Sequence, residues 1–343
     1  MRRVFLGVFV LSIVGGVAYW HAHRNSPPPE SVYAIDRNVT VWSSNAQVRE
    51  ALETIKFGDR VEVIRRSGDN ADVRTANGVE GWIGSREIVS SDLWRRMTSL
   101  TSQAKEMPVQ AQGHTKVLSN LRLEPGRDGA RIFQVGRDTK VAILTRKVLD
   151  VSLPSTANTS GGGSADDDAD TQEPATTKKE DWILVLANVK DAGEIAGWVV
   201  GRFVQMDLPS PLPDYASSAG LRVAAWFELN RVADPAEGLK PQYILFGAHG
   251  PEGGVCDFTT MRAYTWGIKR ERYETAFVES NFCGLMPVEV TPATQTGGDA
   301  TFKFEDVTGS GNTERIYRLH ETVIRRIDAA HAERHAKRKT RGH

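Results

Sequence analysis

The chain has 343 residues, with 43 Lys and Arg balancing 43 Asp and Glu, which is a length of two or three domains at zero net charge. No global field draws such a molecule to nucleic acid or to an anionic surface, and 40% apolar residues is enough for ordered cores. Two cysteines, Cys256 and Cys283, are too few for a disulfide-dense scaffold and lack the spacing of a metal site.

Arg2 and Arg3 precede an uncharged apolar run from Val4 to Trp20. That run is short for a bilayer span and long for a signal-peptide core. Its end, Tyr19-Trp20, suits an interfacial aromatic belt and fits the small-residue cleavage rule poorly. Residues 1–24 therefore read as a single transmembrane anchor, with a cleaved signal and a secreted protein as the alternative. The arginine pair sets the N-terminus in the cytoplasm and everything after it outside, in the periplasm. Residues 25–30, with Pro27, Pro28 and Pro29, make a stiff spacer.

One pattern then occurs twice, over residues 31–90 and 115–207. Each copy opens on a short extended stretch, Val39-Thr40-Val41-Trp42 and then Asn120-Leu121-Arg122-Leu123. Each continues through a Gly-led strand, from Gly58 to Ile64 and from Gly136 to Leu144. A further strand follows, Asp72-Val73-Arg74 or Asp181-Trp182-Ile183-Leu184-Val185, and each copy closes on Gly81-Trp82-Ile83 or Gly197-Trp198-Val199. Period-2 patterns bounded by glycine and polar turns are short β-strands, and their repetition means two small modules of one kind. Between the copies, Ser90-Ser91-Asp92 offers helix caps, and Leu93, Trp94, Met97, Leu100 and Ala104 follow at helical spacing. This predicts a linker helix over 91–107, stopping before Pro108 and docking its apolar stripe on a neighbouring module.

Residues 155–179, which interrupt the second copy, hold no apolar side chain larger than Ala apart from Pro174. Such a segment is expected to be a disordered loop, its acidic run Asp166–Asp170 solvated. Pro209, Pro211 and Pro213 mark a boundary. A β-rich C-terminal domain over 219–327 follows, with strands at Val223–Leu229, Gln242–Ala248, Thr260–Trp266, Tyr273–Ser280 and Phe302–Asp306, and a hairpin from the last of these to Arg315–Leu319. Residues 328–343 form a basic tail.

The repeated segments resemble the bacterial Src-homology-3-like (SH3b) family. The second copy carries its Asn-x-Arg segment (Asn120, Arg122), its Gly-led Val strand (Gly136, Val141), its Trp strand (Trp182, Val185) and its Gly-Trp-Val closure. The first keeps Gly58, Val61, Val63 and Gly81-Trp82-Ile83, but has Ala71-Asp72-Val73 where the Trp strand would be. The resemblance implies two small SH3-like β-barrels in a mainly β protein, and an envelope protein that binds cell-wall material or peptide as an accessory to a hydrolase. No hydrolase domain is recognisable.

Trp82, Trp182 and Trp198 are the candidate binding residues, because a strand Trp after a glycine can present a flat face at a barrel rim. Packing is the commoner role for each, and for Trp42. A nucleophilic cysteine with His249 or His320 as base would need a helix N-terminus that Cys256 and Cys283 lack. An oxidising compartment instead predicts that the two cysteines are bridged. His331 and His335 stand four apart, at helical spacing, without a third ligand, so no metal or other cofactor is expected. These features predict a non-enzymatic, membrane-anchored envelope protein that binds peptide, cell-wall glycan or a protein partner. The alternatives are a docking subunit of a membrane complex and a hydrolase in the C-terminal domain. No nucleic acid is expected.

Overall fold

The computed structural model describes residues 30–152, 177–236, 238–309 and 311–327. The expected anchor, most of the spacer, most of the acidic insert and the basic tail lie outside the described residues. Among the described residues, no helix is long and apolar enough to cross a membrane. The protein is mainly β, with three seven-stranded antiparallel sheets, none of them closed.

The first sheet contains β1 (Glu30–Ala34), β2 (Asn38–Trp42), β3 (Ala51–Lys56), β4 (Arg60–Ser67), β5 (Asn70–Arg74), β6 (Glu80–Gly84) and β7 (Ile88–Ser90). Its strand order is β3-β2-β6-β5-β4-β1-β7. Helix α1 (Ser91–Glu106) follows, capped by the Ser90 hydroxyl, which accepts from the Leu93 amide at 3.2 Å. The second sheet contains β8 (Ala111–Thr115), β9 (Ser119–Arg122), β10 (Arg131–Val135), β11 (Lys140–Ser152), β12 (Thr177–Val189), β13 (Gly193–Val200) and β14 (Val204–Met206). Its order, β10-β9-β13-β12-β11-β8-β14, is that of the first sheet with every strand advanced by seven. A 3-10 turn precedes the last strand in both, at Ser85–Glu87 and Gly201–Phe203. The ladders also break at equivalent points, between Val63 and Arg65 and between Ile143 and Thr145. The duplication is one of topology and register, not only of motif.

Several boundaries differ from the sequence reading. Glu30, assigned to the spacer, opens β1, and β8 begins at Ala111, ahead of the expected start at 115. Thr177–Lys179, assigned to the insert, continue β12, pairing with Ser152, Val151 and Asp150. Their polarity does not prevent this, because backbone pairing with β11 extends the long hairpin without needing a buried side chain.

The third sheet is a meander in sequence order: β15 (Arg222–Asp234), β16 (Gly238–Ala248), β17 (Phe258–Gly267), β18 (Arg272–Thr291), β19 (Ala300–Asp306), β20 (Thr313–His320) and β21 (Val323–Ile327). Phe246, Phe258, Phe302, Phe304 and Tyr317 fill its core. A short helix, α2 (Leu212–Ser218), precedes it where the prolines were read only as a boundary. Proline is tolerated in a first helical turn, where an amide has no intrahelical partner to lose. Leu212 and Ala216 of this helix pack on Tyr243, Leu245, Tyr264 and Tyr273.

The chain divides into two compact units between Trp94 and Arg95, so the second and third sheets, expected as separate domains, share one unit. Gln110, fully buried, is one reason. Its side-chain amide both accepts from the Val288 amide at 2.7 Å and donates to the Val288 carbonyl at 3.1 Å, and its own carbonyl accepts from Trp226 at 3.0 Å.

Candidate binding surface

In the first sheet, strand alternation sends Val39, Val41, Val61, Val63, Val73 and Ile83 into the core. The opposite face carries a row in direct register across four strands: Trp42 on β2, Trp82 on β6, Asp72 on β5 and Arg65 on β4. Both indoles are partly exposed. The Arg65 Nε donates to Asp72 at 3.0 Å, and its guanidinium lies 5.0 Å from the Trp82 ring centroid. Arg49, in the loop before β3, sits 4.3 Å over the Trp42 ring. The neighbouring row is ionic, with Arg74 at 2.6 Å from Glu80 and 4.0 Å from Glu62. Gly81 makes the crossing of β6 over β2 possible, since a Cβ there would stand 2.6 Å from the Trp42 carbonyl oxygen. On another side of this unit, Trp94 stacks on Tyr33 with ring centroids 4.9 Å apart.

The second sheet repeats the crossing and reverses the chemistry. Gly197 allows the same approach, a Cβ there standing 2.7 Å from the Leu121 Cβ. Trp198 pairs with Arg122 and Leu184, and Leu184 with Thr145. By register, Glu62, Asp72, Arg74 and Glu80 of the first sheet are replaced by Ala142, Leu184, Leu186 and Ala196. Ile64, exposed at its bulge, is replaced by the buried Leu144. The C-terminal half of α1 covers this face. Ala104 is buried with Leu144, Leu184 and Ala196, and Leu100, Met107 and Trp198 pack against them. The Thr101 hydroxyl accepts from the Ala196 amide at 3.1 Å, and Lys105 pairs with Glu194 at 3.0 Å.

The three candidate tryptophans therefore separate. Trp82 lies partly exposed, in a row with no helix over it among the described residues. Trp198 is half-buried against a helix-covered cluster. Trp182 is 1% exposed and belongs to the core. Register places Trp182 opposite Val200 and Trp198 opposite Leu184, so the two share a face diagonally but present no joint platform to solvent. Trp42, discounted with them as packing, is the actual cross-strand neighbour of Trp82. No motif in the sequence pointed to Arg49 or Arg65, whose roles depend on register and loop path.

Cys256 and Cys283 are joined by a disulfide. With the bridge in place neither sulfur is a thiolate. The two histidines are engaged elsewhere: His249 Nδ1 lies 3.0 Å from the Gly220 carbonyl oxygen and His320 Nδ1 lies 2.6 Å from Asp299. Next to the bridge, the segment from Gly253 to Asp257 encloses Arg146 of β11, whose side chain is 3% exposed. Arg146 donates to Asp181 at 2.6 Å, to Asp257 at 2.9 Å and to the Gly254 carbonyl at 2.9 Å. Asp181 also accepts from the Gly253 amide, and Asp257 from the Met286 amide. Burial opposes the guanidinium charge, but its bonds to Asp181 and Asp257 outweigh burial and raise its pKa. At the other side of the bridge, burial pushes the Asp306 carboxyl up. Donors from Thr308, the Cys283 amide and Arg315 outweigh it and hold the group at about 2.

The chain matches no family model and no curated protein. Among solved structures, NlpC1 from Trichomonas vaginalis aligns over 75% of this chain and 94% of that one, at 9% identity and a TM-score of 0.17. NlpC2 from the same organism aligns over 88% and 97%, also at 9% identity and a TM-score of 0.17. At that TM-score neither lends its fold or its chemistry to this chain.

Proposed function

We propose that this protein is a non-enzymatic cell-envelope binding protein, anchored by residues 1–24, with tandem SH3-like modules of which the first recognises and the second is structural. The observation that carries this reading is the partly exposed Trp42–Trp82 row on a sheet whose duplicate covers the same face with a helix. An indole pair on a solvated face offers a large, rigid contact area at little entropic cost, which is the property of recognition surfaces. The ligand lies in the envelope, as cell-wall peptide or glycan or an envelope protein.

Capture of the purified protein on cell-wall material, followed by tryptophan quenching, tests this. Trp82→Ala is expected to abolish both signals, and Trp198→Phe to leave them. Quenching by no wall or peptide fraction transfers the role to a docking subunit of a membrane complex, a reading favoured by the way the second sheet devotes its outer face to internal packing.

A further inference from the structure

We propose that the Trp42–Trp82 row is a site for a carboxylate-bearing extended peptide, with Arg49 and Arg65 as its anion-binding residues. This rests on the reading of the first sheet as a recognition module. A guanidinium held over an indole by its charge makes no hydrogen bond to the ring, so its N–H donors stay available to a ligand. Arg65 engages Asp72 through Nε, which leaves its two terminal amino groups for another acceptor. Among the described residues Arg49 pairs with no carboxylate, and its guanidinium lies over the Trp42 ring. The rings beneath the two guanidiniums belong to directly paired residues. Two guanidiniums with donors to spare therefore stand over neighbouring, partly exposed rings. Their complement is a carboxylate, which accepts two parallel bonds from one such fork.

A peptide fits better than an acidic sugar because of what borders the row. Strand β3 starts two residues after Arg49 and is an edge of its sheet, so one side of its backbone has no ladder partner among the described residues. An extended segment can pair there and set alternate side chains on the face that carries the row. Val48 is 92% exposed and Leu52 45% exposed, offering apolar contact beside the charges. The second sheet keeps an edge strand and Trp198 but has lost the rest of the row. Arg122 replaces Trp42 and donates to the Gly129 carbonyl at 2.6 Å, Thr145 replaces Arg65, and α1 covers the face.

The test is calorimetric titration of the full chain at low salt with three probes: a short blocked peptide alternating Val and Glu, its Val and Gln counterpart, and trigalacturonate. The Glu peptide is expected to bind, and the Gln peptide to bind at least ~10-fold more weakly, the cost of losing a charge-assisted contact. Arg49→Gln and Arg65→Gln should each weaken the Glu peptide by about 10-fold. Arg49→Lys, which keeps the charge but not the fork, should weaken it as well, and Arg122→Gln should change nothing. Equal binding of the two peptides, no binding of the Glu peptide, or indifference to both Gln variants overturns the proposal. Preference for trigalacturonate overturns the choice of peptide in favour of an acidic sugar. Wall capture that is lost in Trp82→Ala but kept in both Gln variants would sink the carboxylate chemistry and leave the recognition face standing. A melting curve on each variant separates lost binding from lost folding.

Discussion

The first and second sheets share strand order, bulge position and a Gly-Trp closing strand, and they diverge on one face. In the first, Glu62, Asp72, Arg74 and Glu80 face outward around two tryptophans. In the second, Ala142, Leu184, Leu186 and Ala196 face α1. The inward positions are aliphatic in both, as one core shape requires. A sheet's topology thus follows from its buried face, while the other face is free to become a surface or an interface. The same holds for single residues. Arg66 and Arg146 are equivalent in register, facing Ala71 and Ile183. Arg66 makes a surface pair with Glu30 at 2.7 Å, both about half exposed. Arg146, 3% exposed, sits between two buried carboxylates in the longer hairpin of the second sheet.

Exchanging the two faces residue by residue is the strongest way to break this comparison. Leu184→Asp combines a cavity under the helix with an unpaired buried charge and should cost about 4 kcal/mol or more. The reciprocal Asp72→Leu loses an ion pair whose arginine is well exposed, and should stay within about 1 kcal/mol. Arg146→Met strands Asp181 and Asp257 and should cost about 3–5 kcal/mol, against less than about 1 for Arg66→Met. Denaturant unfolding of the four variants decides. Comparable losses within either pair would mean that the two faces are not energetically distinct.

What could be read from the sequence follows the same division. The paired copies, α1 with its Ser90 cap and its stop before Pro108, and most strands of the meander were legible because core-facing periodicity and caps are local signals. Strand β3 was not. Ala51-Leu52-Glu53-Thr54-Ile55-Lys56 is rich in helix formers, and pairing with β2 overrides that preference. Strand β8, with Gln112, Gly113 and His114 at its centre, has almost no strand signature and exists because β11 and β14 flank it. The proposed binding row was half legible. Trp82 stood out beside its glycine, while Arg49 and Arg65 reach it through the path of a loop and the offset of a bulge, which no spacing in the chain records.

The bridge sharpens the comparison at the level of whole units. Replacing Cys256 and Cys283 by serine should cost about 3 kcal/mol for a closed loop of 27 residues, and hydrogen exchange should show the loss in the second unit alone. Acid should act on the same unit through Asp306, whose carboxyl is held at about 2 against an ordinary value of 3.8. A depressed carboxylate contributes stability above its ordinary value, and that contribution is lost as pH falls toward about 2. Asp306→Asn should therefore lower the melting temperature at pH 7 by more than at pH 3. An equal loss at both would assign the residue a packing role only.

Smaller effects than those of the buried charges and the bridge are expected at the two equivalent tryptophans. Trp198 packs on the cluster under α1, so Trp198→Phe leaves a misfitting shape there and should cost about 1–3 kcal/mol. Trp82 carries the Arg65 guanidinium on its partly exposed face, with no helix packed over it among the described residues, so Trp82→Phe should cost about 0.5–1 kcal/mol, the range of an exposed cation–π contact. A double-mutant cycle of Trp82→Phe with Arg65→Gln isolates that contact from the Asp72 ion pair. A coupling of about 0.5 kcal/mol or more would show that the ring holds the guanidinium in place before any ligand arrives. A coupling near zero would mean that Arg65 moves freely over the indole. Its donor edge would then have to be ordered by the ligand itself, with a corresponding loss of affinity.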